Sequence, residues 1–195
     1  RRREVYATTG SRIPLRVFGG WNFAKSDVQR PDYVHIGYEK GVPMGGDLTR
    51  NRGARAPIFM IAAAKDPDDA NLDRAQMIKG WVDAKGVTHE KIYDVAVSGG
   101  RRVDPKTGKL SAVGSTVNLA DASYTNSIGA PELATVWADP DFDPKQRAFY
   151  YVRVLEIPKP RWTAYDAAFF KVKMPANILM VVQDRAFSSP IWYTP

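Results

Sequence analysis

The side chains best suited to recognising a ligand fall in one short segment, residues 158–166, reading Pro-Lys-Pro-Arg-Trp-Thr-Ala-Tyr-Asp. Pro158 and Pro160 fix their own φ angles and hold the chain on an extended path. Arg161 offers a planar guanidinium fork to an anion. Trp162 and Tyr165 offer flat apolar walls with polar tips. Asp166 is spaced to pair with Arg161 or to position a substrate hydroxyl. These four residues read either as a substrate wall or as a contact between structural units.

Other constellations are weaker. The chain has two histidines, His35 and His89, and no cysteine. Disulfides, thiolate metal sites and cysteine nucleophiles are thereby excluded, and two imidazoles alone do not build a histidine-based multinuclear metal centre. His89 sits beside a turn signal and is expected on the surface, whereas His35 reads as a hydrogen-bonded structural histidine. Oxygen donors alternate at Asp139, Asp141 and Asp143 and again at Asp69, Asn71 and Asp73. A calcium loop also needs a turn glycine and a distal bidentate carboxylate, and neither set has them at the required offsets. Residues 41–47, Gly-Val-Pro-Met-Gly-Gly-Asp, lack the Lys-Ser/Thr ending of a phosphate loop and read as a turn leading into a strand, although a glycine-rich backbone can approach an anion. No serine stands in a nucleophile elbow. No catalytic residue, metal ligand or cofactor site is assigned within the chain.

The elements that must position these residues are mostly strands. β-branched and aromatic residues concentrate at 4–9, 12–18, 58–64, 72–82, 88–97, 133–137, 148–157 and 178–183. Lys85-Gly86 makes a hairpin of 72–82 and 88–97. Asp-Pro and Gly-Gly pairs punctuate the rest. Strands of this length and spacing predict a mostly-β fold with a β-sandwich-like core. Two stretches, 19–56 and 158–176, read as long irregular loops, which in a compact domain are functional or packed against another unit. The closing Pro190-Ile191-Trp192-Tyr193 is too apolar for a free tail and should be tied down.

The 195 residues carry a net charge of +7. The basic clusters, Arg1-Arg2-Arg3, Arg50/Arg52/Arg55 and Arg101-Arg102, are short and scattered, so no nucleic-acid partner is expected, while a small phosphate- or sulfate-bearing substrate suits the charge. No run of about 18 apolar residues occurs, so no membrane span is expected. The lack of cysteine suits a periplasmic or secreted protein.

REVYATTGSRI, GVPMGGDL, KDPDDANLDRAQMIKGW, KIYDVAVSGGRR, VWADPDFDP, AFYYVRVLEIPKPRWTAYDA and RAFSSPIWYTP resemble, in order and along nearly the whole chain, the carboxy-terminal part of the bacterial domain-of-unknown-function 3604 family (DUF3604). That family resembles the PHP (polymerase and histidinol phosphatase) superfamily of metal-dependent hydrolases. The resemblance implies a hydrolase whose His/Asp ligands and divalent metal ions lie in an upstream catalytic portion of the same protein. It divides the chain into the end of an upstream α/β PHP-like barrel (1–18), a connecting loop region (19–56), a β-sandwich (57–157) and a carboxy-terminal extension (158–195). No metal ligand carries over to a residue of this chain. The expected function is then an inert accessory region of a phosphoesterase-like or related ester hydrolase, with Arg161, Trp162, Tyr165 and Asp166 on the substrate side. The alternative is a non-catalytic β-sandwich module for carbohydrate or protein binding, which a coplanar exposed row of Trp21, Trp81 and Trp162 would favour.

Overall fold

Period-two alternation of apolar and polar residues decides the architecture. A computed structural model describes residues 2–51, 53 and 55–195; Arg1 and Arg52, members of two of the basic clusters, lie outside them. The elements run β1 (Tyr6–Thr8), β2 (Leu15–Gly20), a 3₁₀ turn (Asp27–Gln29), α1 (Tyr33–Lys40), β3 (Gly41–Pro43), β4 (Asp47–Thr49), β5 (Ile58–Ala64), β6 (Leu72–Val82), β7 (Thr88–Val97) and β8 (Glu132–Ala138). They continue with β9 (Ala148–Glu156), β10 (Lys159–Pro160), α2 (Trp162–Phe170), β11 (Val181–Val182), β12 (Arg185–Ser188) and β13 (Ile191–Thr194).

Two sheets face each other, as the sequence predicts. The four-stranded sheet has the order β3-β2-β5-β8 and is antiparallel throughout. The seven-stranded sheet is built around β9. One edge of β9 pairs with β6, which in turn pairs with β7. Its other edge is shared end to end: Ala148 to Tyr150 pair with β13, and Arg153 to Leu155 pair with β12. β4 joins β13 in parallel, and β1 joins β12. Proline at 190 has no N–H to give the ladder between β12 and β13, and the Val152 N–H at the break donates instead to Ser188 Oγ at 2.9 Å. The hairpin expected at Lys85-Gly86 forms, with Gly86 at φ +80°, a region open to glycine.

The core lies between the sheets. Leu15, Val17, Phe59 and Ile61 from one sheet meet Met77, Tyr150, Val152, Val154, Ile191 and Tyr193 from the other. A smaller cluster of Phe18, Met60, Phe23 and Ile36 packs on the outer face of the four-stranded sheet, where α1 and the 3₁₀ turn cover it. The sandwich is wider than residues 57–157. Its sheets take β1 from residues 1–18, β2 from across the 18/19 boundary, β3 and β4 from 19–56, and β12 and β13 from 158–195. The apolar carboxy terminus is tied down as β13, with Ile191 and Tyr193 in the core. Neither long stretch is irregular throughout: the first holds α1, β3 and β4, and the second holds α2. Residues 162–170 contain no Gly or Pro and three alanines, which permits a helix once Pro160 is passed.

Candidate functional site

The segment 158–166 becomes a two-residue strand followed by a helix. Lys159 and Pro160 of β10 pair with Val182 and Val181 of β11. Arg161 caps α2 in an extended conformation, with φ −82° and ψ 162°. Thr163 and Ala164 are buried, and Thr163 Oγ donates to the Leu179 carbonyl at 2.5 Å. Trp162, Tyr165, Asp166 and Phe169 follow the i, i+3, i+4, i+7 spacing and so share the opposite face. Trp162 is 61% exposed and Phe169 80% exposed. The Arg161 guanidinium carbon lies 5.3 Å from the Trp162 ring centroid, so the cation rests over the indole. Among the described residues no carboxylate pairs with Arg161, so the expected Arg161–Asp166 pairing is not formed. Beside this face lies a cleft of about 710 Å³ whose walls include Thr9, Arg161, Trp162, Leu179, Gln183 and Arg185.

Beneath the cleft is a buried charge cluster. The Lys159 ammonium donates to Ser11 Oγ at 2.9 Å, lies 3.0 Å from Glu156 Oε2 and 2.9 Å from Asp184 Oδ2, and bonds Asp69 Oδ2 as well. Glu156 is fully buried, and neither of its oxygens has a hydrogen bond of good geometry, so the Lys159 contact is its neutralising partner. Burial pushes the Glu156 carboxyl above its ordinary range, against the opposing pull of Ser11 and Lys159. Burial would also lower Lys159 and raise Asp69, but their mutual hydrogen bond, with the ion pairs of Lys159 to Asp184 and Glu156 and the Ser11 hydroxyl donated to Asp69, outweighs it: Lys159 is held above the usual lysine range and Asp69 below the usual carboxylate range. Tyr124 donates to Asp69 at 3.2 Å, and burial beside that carboxylate pushes its hydroxyl up to about 12.

One oxygen each from Asp69, Glu156 and Asp184 lies within 4.8 Å of the others, which is the spacing of a divalent-cation site. A lysine ammonium occupies the middle of that set instead. The two alternating acidic runs are likewise dispersed. Asn71 donates to the carbonyls of Asn126 and Ile128 at 3.0 and 2.9 Å. Asp73 takes Arg74 at 2.6 Å, and also Arg101. Asp139 is buried and accepts from Lys79 Nζ at 2.6 Å and from the Tyr150 hydroxyl at 2.7 Å. Asp141 pairs with Lys91 and accepts from the Tyr93 hydroxyl at 2.6 Å. Asp143 accepts from the Lys145 N–H at 2.9 Å, as a turn cap does.

The remaining candidates are structural or apart. Residues 41–47 are β3, a turn and the start of β4. The N–H groups of Met44, Gly45 and Gly46 donate to Val17, Pro190 and Pro43 carbonyls, which leaves no cradle for an anion. His89 is exposed as expected, stacked on Trp81 at 5.2 Å and bonded to Asp83 Oδ2 at 2.9 Å. His35 is exposed on α1, which corrects its reading as a hydrogen-bonded structural residue. Trp21, Trp81 and Trp162 form no coplanar row: Trp21 and Trp81 pack on the core and only Trp162 stands out in solvent.

The match to known families is unambiguous. The family model described as protein of unknown function (DUF3604) matches residues 1–195. The chain belongs to this family. No curated protein and no solved structure matches it. Within this DUF3604 chain the residues that spacing alone missed are Lys159 and Glu156. Their signal is a carboxylate embedded between Leu155 and Ile157 in an apolar strand, followed by a lysine between two prolines; charges in such a setting are paired.

Proposed function

We propose that this chain is the non-catalytic part of a metal-dependent hydrolase acting on a small anionic ester. In this reading α2 and its cleft form the wall that faces the substrate, and the upstream portion of the same polypeptide, PHP-like in its resemblance, holds the divalent metals. The observation that carries the reading is Arg161. It is a half-buried guanidinium resting on Trp162 at the mouth of a cleft, with no carboxylate partner among the described residues. An arginine that rests over an indole with no carboxylate partner keeps its N–H donors available and suits two-point recognition of a phosphate or sulfate oxygen pair. The metal would polarise the ester and activate water; Arg161 would orient the anion, and Trp162 and Tyr165 would exclude water beside it.

The test is kinetic. In the protein as its gene encodes it, Arg161→Ala should lower kcat/KM for p-nitrophenyl phosphate or sulfate by about 10–100-fold, the range expected for losing charge-assisted hydrogen bonds. The melting temperature should be unchanged, because Arg161 lies outside the core. The chain of residues 1–195 alone should turn over neither ester with manganese or zinc added. Unchanged kinetics in Arg161→Ala, or turnover by the isolated chain, refutes the proposal.

A further inference from the structure

The outer face of the seven-stranded sheet divides into two unlike halves. In one half Arg153 donates to Gln76 Oε1 at 2.6 Å and Gln76 donates to Asp94 at 2.8 Å, so three strands are bridged by a polar network, as a water-facing sheet surface should be. The other half is apolar at its centre and charged at its rim. Register places Glu90, Gly80, Phe149 and Trp192 in one row across β7, β6, β9 and β13, and Thr88, Val82 and Arg147 in the next. Phe149 and Trp192 meet at 5.3 Å, and Trp192 is 44% exposed.

Gly80 explains why a hollow forms here. A Cβ at that position would lie 2.3 Å from the Phe149 ring. With no side chain in the way the ring lies over the glycine backbone, and the floor stays low between the Thr88 and Glu90 side and the Trp192 side. The result is a groove of about 670 Å³, within the range of small-molecule sites, roughly 300–1,000 Å³.

We infer that this groove binds a neutral oligosaccharide. Three features select that ligand. The aromatic faces of Trp192 and Phe149 suit the apolar C–H faces of pyranose rings. Glu90 and Arg147 stand at the rim, opposite in sign, and neither has an ion-pair partner among the described residues. An anionic or cationic ligand would be opposed by one of them, whereas hydroxyls both accept from Arg147 and donate to Glu90. Finally, β6, β9 and β13 are paired on both edges where the groove crosses them, so its floor offers an extended peptide no strand edge to join, and the one unpaired edge there among the described residues, that of β7, bounds the groove on the Thr88 and Glu90 side. This site is remote in sequence and in role from Arg161 and its cleft.

The test uses residues 1–195 titrated calorimetrically with cellohexaose, xylohexaose, mannohexaose and laminarihexaose. At least one should saturate with a Kd below about 1 mM, and Trp192→Ala should weaken it at least about tenfold. Arg147→Ala, a change confined to an exposed side chain, should weaken it severalfold and keeps the test decisive if Trp192→Ala folds poorly. Arg161→Ala should bind as the wild type does, which separates this result from the ester-site reading. No saturable binding of any of the four sugars, or equal binding by both groove variants, overturns the inference.

Discussion

Lys159→Met tests whether the buried ammonium holds this fold together. The substitution removes one cation from among Asp69, Glu156 and Asp184. Breaking a buried pair by deleting one partner costs roughly 3–5 kcal/mol. A second route gives a similar figure. With the cation gone the fully buried Glu156 must take a proton, and holding a carboxyl of ordinary value near 4.3 neutral at pH 7.5 costs about 4 kcal/mol. Asp69 and Asp184 keep some contact with water, which favours the lower half of the range, about 3 kcal/mol. For a domain of this size that is a fall in Tm on the order of 10 °C. The pH dependence has a definite sign. Lys159 is raised in the folded state, so its stabilisation is fully present at neutral pH and is lost only in strongly alkaline solution. In Lys159→Met the three carboxylates repel one another and protonation relieves that repulsion, so the variant should regain stability as pH falls from 7.5 toward 5. Urea unfolding followed by tryptophan fluorescence at both pH values measures this. Calcium or manganese should raise the Tm of Lys159→Met and leave the wild type unmoved, because only the variant leaves the oxygen set free. A loss below about 1 kcal/mol, or a further loss on acidification, refutes the reasoning.

Two further outcomes follow from the same contacts. Removing residues 191–195 deletes β13 and with it the buried Ile191 and Tyr193, the edge on which β4 pairs, and the Tyr193 hydrogen bond to the Pro144 carbonyl at 2.9 Å; two such core side chains are worth roughly 2–5 kcal/mol each, so the truncated chain should show no cooperative unfolding transition by circular dichroism. Asp27 accepts from Lys40 Nζ at 2.8 and 3.0 Å and from the Ala24 N–H at 2.8 Å, and the Lys40 bond holds its carboxyl below the ordinary range; that stabilisation is present above the unfolded value and lost as pH falls through the folded one, so Asp27→Asn should cost about 1 kcal/mol at pH 7 and progressively less toward pH 3 in urea titrations.

Strand positions were legible because alternation against a core has a period that short windows reveal. The ranges 58–64, 72–82 and 88–97 coincide with β5, β6 and β7. Helices α1 and α2 were not legible, for different reasons. α1 carries Gly37 and the β-branched Val34 and Ile36, poor helix formers that hold a helix here because Ile36 packs on Phe18 and Met60. α2 is apolar on nearly every side and so lacks the stripe by which an amphipathic helix announces itself. The terminal strands β12 and β13 are short and take their register from β9, far away in sequence. The acidic runs misled for a geometric reason. Asp69, Asn71 and Asp73 alternate in sequence, yet Asp69 turns to Lys159, Asn71 to the loop at Asn126 and Asp73 to Arg101, because the loop between β7 and β8 folds back over this corner. At 158–166 the residues of interest were legible but their arrangement was not: proximity in sequence suggested an Arg161–Asp166 pair, whereas the helix beginning at Trp162 sets Arg161 over the indole instead.

The lysine cluster and the candidate site are coupled through β10. That strand makes two residue pairs with β11, and Arg161 N–H donates to the Met180 carbonyl just beyond them. So short a ladder cannot by itself fix the direction in which a helix leaves. Lys159 supplies what the ladder lacks, since its ammonium ties β10 to Ser11, Asp69, Glu156 and Asp184, which come from four separate parts of the chain. Arg161 stands two residues on and inherits that position. The two residues therefore act differently if the ester-site proposal is correct. Arg161→Ala removes a group that touches the anion and leaves the scaffold whole, so turnover falls while the unfolding midpoint stays. Lys159→Met loosens the mount, so both fall, and turnover recovers in part when calcium or manganese refills the cluster. Because Arg161 itself has no place in that cluster, a divalent ion that restored the Tm of Lys159→Met without restoring any turnover would show that β10 does not position Arg161.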